Sequence, residues 1–143
     1  MPLRSSDTDF AQVCEYLAHG EENKKLKKMN EESAEISWED FIKIEMRTGT
    51  ILSSEEFTEA KKPAYRLTID FGKFGIRKSS AQITKFYSAG ELKGKQVIAV
   101  VNFPPKQIAN MQSECLILGV VGSDNEVTLI TPNKKVNNGL RIG

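Results

Sequence analysis

The sequence predicts an all-β fold, a small barrel of about six short strands. Three observations carry this. Tyr65-Arg66-Leu67-Thr68-Ile69-Asp70-Phe71 alternates apolar and polar residues with a period of two. Val97 to Val101 is wholly apolar and ends on Asn102-Phe103-Pro104-Pro105. Turns rich in Gly, Asn and Ser separate the short runs.

Taken in chain order, Ser6 to Gly20 reads as a short helix. Ser6 is its N-cap, and Phe10, Val13, Cys14 and Leu17 fall on one face. Glu21 to Glu35 is almost entirely charged or amidic and forms a solvated helix or a tether. Ser37 caps a helical turn through Trp38-Glu39-Asp40. The first strand runs from about Arg47 to Glu56, with Gly49 marking a bend or bulge. The second strand sends Tyr65, Leu67, Ile69 and Phe71 inward. Gly72-Lys73-Phe74-Gly75 then turns into a third strand near Ile76. Ser80 to Tyr87 is expected to be a short helix capped by Ser79 or Ser80. Val97 to Phe103 is a strand buried on nearly both faces. Ile108 to Met111 forms a turn, and Cys115 to Val121 another apolar strand. Ser123 to Glu126 makes a hairpin turn into Val127 to Ile130, and Asn137-Asn138-Gly139 a last tight turn. One helix between the third and fourth strands fits a five-stranded Greek-key barrel of the oligonucleotide-binding (OB) type, or another small barrel.

Composition narrows the function classes. The chain has 143 residues and a net charge of +1, but the charge is uneven. Residues 1–36 carry 5 Lys/Arg against 8 Asp/Glu, and residues 37–143 carry 15 against 11. This divides the chain into an acidic extension, 1–36, and a mildly basic domain, 37–143. No apolar run is long enough to span a membrane, and Met1 to Gly20 lacks a signal peptide's apolar core. Cys14 and Cys115 have no metal-ligand spacing, so a reduced, cytoplasmic setting with both thiols packed is expected.

Catalytic material is sparse. The single His19 lies in the extension, five residues from Cys14 on an apolar helix face. Gly72-Lys73-Phe74-Gly75 lacks the spacing of a phosphate loop, and Glu55-Glu56 point apart. No catalytic residues, metal site or cofactor are expected. Binding material is richer. An OB barrel grips nucleic acid across one sheet face with cations and short polar groups. Lys43, Arg47, Arg77, Lys78, Lys85 and Lys106 supply the cations. Ser79, Ser80, Gln82 and Asn102 supply hydrogen bonds. Phe86 and Tyr87 either stack on bases or cover the end of the barrel.

Several ordered motifs resemble the CsaA family, small proteins built on the tRNA-binding OB-fold domain also found in methionyl-tRNA synthetases. Glu45-Met46-Arg47-Thr48-Gly49 is similar to the family's opening, with Glu for Asp and Thr for Val. Ser79-Ser80-Ala81-Gln82-Ile83-Thr84, Asn102-Phe103-Pro104-Pro105, Ser113-Glu114 and the closing Asn138-Gly139-Leu140-Arg141-Ile142-Gly143 agree. A family basic pair is here Lys106-Gln107, which drops a cation. The resemblance covers about residues 37–143 and implies a non-enzymatic homodimer that recognises tRNA. As the alternative, it implies an export-related chaperone that holds unfolded or export-bound polypeptides. It places Trp38, Phe41, Val127, Leu129 and Ile142 near the dimer interface.

Overall fold

β1 (Met46–Glu56) is the strand around which the barrel closes. In the computed structural model, which describes residues 34–143, its first half pairs antiparallel with β4 (Gln96–Val100). Its second half pairs antiparallel with β2 (Tyr65–Asp70). A register shift between Ile51 and Ser53 lets one strand serve both neighbours, since an extra residue bends the strand and raises its twist. The bulge therefore falls just beyond Gly49. Gly49 answers a different need: a Cβ there would lie 2.7 Å from Ile69 Cγ2 and 2.7 Å from Phe71 Cε1. The strand passes too close over the core to carry a side chain at that point.

β2 behaves as its alternation dictates, with Tyr65, Leu67 and Ile69 buried and Arg66, Thr68 and Asp70 half-buried on the outer face. It pairs with β3 (Ile76–Ala81). The sheet order is β3-β2-β1-β4-β7, β7 being Leu116–Ile117. Closure between β3 and β7 is made by a few specific bonds. The Lys78 amide donates to Glu114 Oε1 at 2.9 Å, and the Glu114 amide donates to the Lys78 carbonyl at 2.8 Å. Ser79 Oγ donates to the Cys115 carbonyl at 2.9 Å. The result is a five-stranded antiparallel, nearly closed barrel of the OB type.

Two hairpins hang on it, β5–β6 (Lys106–Ile108 and Met111–Ser113) and β8–β9 (Gly119–Val121 and Val127–Leu129). The expected turn at 108–111 is thus the tip of a hairpin, with Ala109 at φ 51°. The expected strand over 115–121 divides at Leu118, whose amide donates to Ile98 and whose carbonyl accepts from Ile130.

Ser37 caps α1 (Trp38–Ile42) as expected, its hydroxyl accepting from the Asp40 amide at 3.0 Å. A helix does lie between β3 and β4, but it is α2 (Ala89–Leu92), later than the 80–87 the sequence points to. It begins at a capping box made by Ser88 and Glu91, and its Leu92 plugs the barrel end at 0% exposure. Ser79, Ser80 and Ala81 are not helical because they pair with Leu67, Arg66 and Tyr65. Long-range pairing overrides the local capping preference of serine. The expected helix over 6–20 and the charged segment after it lie outside the described residues.

Candidate nucleic-acid interface

The outer face of β2 and β3 carries an open groove. Arg66, Thr68, Ile76 and Lys78 form its floor and one wall, and Asn110 and Gln112 of the β5–β6 hairpin form the other. This is the face that OB barrels use for oligonucleotides, flanked by the loops after β1 and before the last strand. Lys78 is exposed on β3. Beside the groove, the loop 57–64 between β1 and β2 presents exposed Lys61 and Lys62, and shares a shallow depression with Thr84 next to exposed Lys85.

Charge within the groove is mixed. Arg66 meets Glu55 at 3.0 Å and Glu59 at 3.9 Å, and its guanidinium lies 5.2 Å from the Phe57 ring centroid. Glu114 also borders the groove, held by the Lys78 amide. The field there is accordingly modest, and short polar contacts carry proportionately more of any recognition.

The residues expected to bind RNA divide into two sets. Lys78 and Lys85 are exposed near the groove, half-buried Lys106 begins the β5–β6 hairpin, and Lys43 is exposed after α1, 3.6 Å from Asp40. The others are turned to the fold. Arg47 Nε bonds Glu45 at 2.7 Å, and its Nη1 donates to the Gly139 carbonyl at 2.8 Å. Arg77 donates to the Val101 carbonyl at 2.6 Å. Asn102 accepts from the Glu45 amide and donates to the Lys43 carbonyl, so it ties the end of β4 to the start of β1. Ser79 and Ser80 are buried in β3, and Gln82 is half-buried beside β7. Of the aromatic pair, Phe86 is exposed, whereas Tyr87 packs on the core and its hydroxyl accepts from the Leu129 amide.

The Arg47 guanidinium holds the Glu45 carboxyl below the usual carboxylate range. Burial pushes the Cys115 thiol up to about 12. Among the described residues no three His, Cys, Asp or Glu side chains converge to hold a metal ion. Sequence reading passed over Lys61, Lys62 and Arg66, although Lys61-Lys62-Pro63 stands directly before β2 and the alternation already turns Arg66 outward.

The residues expected at a dimer interface are similarly split. Trp38 is 66% exposed and its ring lies 5.4 Å from that of half-buried Phe41. Ile42, Ile44 and Leu140 are exposed close by, joined through Arg141, which donates to the Ile42 carbonyl. Ile142 is half-buried. Val127 and Leu129 instead pack into the barrel core.

The family model described as "Putative tRNA binding domain" matches residues 46–141, from the first residue of β1 to the residue bridged back to Arg47. The chain belongs to the tRNA-binding domain family. Its likeness to CsaA proteins is equally direct. The solved chaperone CsaA of Bacillus anthracis superposes with a TM-score of 0.74 at 49% identity, over 77% of this chain and 100% of that one. The CsaA chaperone protein of Picrophilus torridus gives 0.71 at 49% identity, over 76% and 100%. The methionine--tRNA ligase of Porphyromonas gingivalis is 36% identical over 108 residues, 76% of this chain but 16% of that protein. The chain thus corresponds to a small part of these ligases, and the tRNA-binding domain family is not a catalytic one. Among the described residues no helix is long and apolar enough to cross a membrane.

Proposed function

We propose that this chain is a non-enzymatic, cytoplasmic homodimer that binds tRNA, using the β2–β3 groove as its recognition face. The observation that carries the reading is that the tRNA-binding domain match coincides with a barrel whose open groove is lined by Arg66 and Lys78, with Lys61 in the depression beside it. Lys43 and Lys106 add two further cations, both close to Asn102 at the end of β4. Arg47, Arg77, Ser79 and Asn102 act one step removed, by holding the strands that present these groups. Dimerisation through Trp38, Phe41, Ile42, Ile44 and Leu140 would cover an apolar patch that a monomer leaves in water. It would also double a modest binding face, and avidity multiplies the affinity of paired weak sites. The extension 1–36 is a separate acidic unit in this reading.

The test is binding of labelled mixed tRNA over a salt series, with the mass of the protein measured in parallel. Dimeric mass and a binding constant that falls steeply with salt are expected. Monomeric mass with no binding at low salt would reject the proposal.

A second reading is that the chain holds extended, export-bound polypeptides. It is favoured by the exposed apolar side chains Trp38, Phe103 and Val120 and by the chain's likeness to the CsaA chaperones. It predicts suppression of client aggregation that persists at high salt, and no protection at equimolar protein would dismiss it.

A further inference from the structure

The groove's cations are interleaved with Glu55, Glu59 and Glu114, so the groove itself carries little net charge. Residues 37–143 hold 15 Lys/Arg and 11 Asp/Glu. Lys93, Lys95, Lys134 and Lys135 equal that excess of four in number, and all four are exposed. Lys93 and Lys95 flank Gly94, whose φ of 90° makes the tight turn from α2 into β4. Lys134 and Lys135 come from the loop after β9, about 40 residues later in the chain, yet the fold fixes that loop against the same turn. Gln96 Nε2 donates to the Val136 carbonyl at 2.6 Å, and the Val136 amide donates back to Gln96 Oε1 at 3.1 Å. Asn138 Oδ1 accepts from Thr50 Oγ1 at 2.7 Å, and the Gly139 amide donates to the Thr48 carbonyl at 2.7 Å. Residues 92–96 and 130–143 contain no acidic side chain. The adjacent Glu91 is occupied by the Ser88 amide and hydroxyl.

We infer that Lys93, Lys95, Lys134 and Lys135 form a second nucleic-acid surface that holds the phosphodiester backbone of RNA, separate from the β2–β3 groove. It lies on the turn into β4 and the loop docked to it, and β4 is two strands from β2 in the sheet order. The inference rests on the RNA reading above and assigns a division of labour within it. The lysine surface supplies the salt-dependent, sequence-independent part of the affinity, and the groove supplies the contacts that discriminate. Anchoring by Gln96 matters because a loop held in place loses less freedom when it meets its ligand. Gln96 is thus a positioning residue.

The experiment uses the full chain and labelled mixed tRNA between 50 and 200 mM salt, ranges over which such contacts are strongly expressed. Neutralising all four lysines to Ala should lower the slope of log K against log salt by about 3–4, roughly one per lysine. Affinity at the low-salt end should fall at least about tenfold. Gln96→Ala keeps every charge and should give a smaller loss of affinity. A charge-matched control, Lys24, Lys25, Lys27 and Lys28 all to Ala in the extension, should leave the slope near the wild-type value. If the wild type binds tRNA while the Lys93/95/134/135 variant keeps its slope and affinity, this surface is not used and the RNA reading stands. An equal effect from the control would likewise overturn the inference, by reducing it to net charge. If the wild type binds no tRNA at low salt, both fall together.

Discussion

The guanidinium of Arg47 lies 3.8 Å from the centroid of the Phe74 ring. That contact joins β1 to the turn after β2, and the same arginine reaches the Gly139 carbonyl and Glu45. A cation that by residue type alone belongs on a binding face is here the clasp between the barrel and the end of the chain. Its side chain is 15% exposed.

Arg47→Ala should therefore act on stability first, because it strands the Gly139 carbonyl and removes a packed cation–π contact. The loss should be about 2–3 kcal/mol in urea unfolding. Arg47→Lys should recover little of it, since an ammonium cannot serve both partners and lie flat on the ring. A stable Arg47→Ala protein with weakened tRNA binding would instead restore it to the interface.

Gly49→Ala should destabilise the barrel by about 1–3 kcal/mol through overpacking against Ile69 and Phe71. Thermal unfolding measures this directly. Gly90→Ala, where an added Cβ meets nothing within 4 Å, is the matched control and should be close to neutral.

The depressed Glu45 carboxyl gives a pH dependence of defined sign. A carboxyl whose folded value lies below its unfolded one stabilises the protein fully above the unfolded value, near pH 4.3. That contribution disappears as pH falls through the lower folded value. Wild type should exceed Glu45→Gln in stability at pH 7, and the gap should close as acid protonates the folded-state carboxyl. A gap that is constant with pH would remove the charge from the explanation.

On the groove, Lys78→Glu and Arg66→Glu should weaken tRNA binding severalfold each at low salt, since each replaces an attraction by a repulsion. Arg66→Glu also loses its pairs to Glu55 and Glu59, so its melting temperature is the necessary companion measurement. Unaltered binding in both variants would move recognition off this face.

Cys115 is 2% exposed and its thiol is raised to about 12 by burial. In a Cys14→Ser background the native protein should show no reaction with a thiol reagent at pH 8 and one full equivalent in denaturant, because the thiolate is the reactive species. Rapid native labelling would mean that the barrel opens at Cys115.

What the sequence made legible follows from how local each cause is. The alternation from Tyr65 to Phe71 needs only neighbours two residues apart, and the Ser37 cap only the amide three residues on. Both read correctly. Ser79 and Ser80 carry an equally local capping signal, but the decisive contacts come from Leu67 and Arg66 in another strand. Arg47 and Arg77 look like surface cations until the Gly139 and Val101 carbonyls are seen to meet them. The lysine pair 134–135 drew no notice because nothing near it in the chain shows that Gln96 fixes the adjoining Val136.

The closure at Lys78 and Glu114 has a mechanical consequence. The β1–β2, β2–β3 and β1–β4 junctions are stitched by ladders five or six pairs long and β4–β7 by a ladder of two, whereas this seam depends on a single carboxylate and hydroxyl with one main-chain link. A cylinder parts first where its stitching has no ladder. Amide exchange along β3 on the Glu114 side should outpace exchange in β1, and Glu114→Ala should speed it further while the remaining strands stay protected.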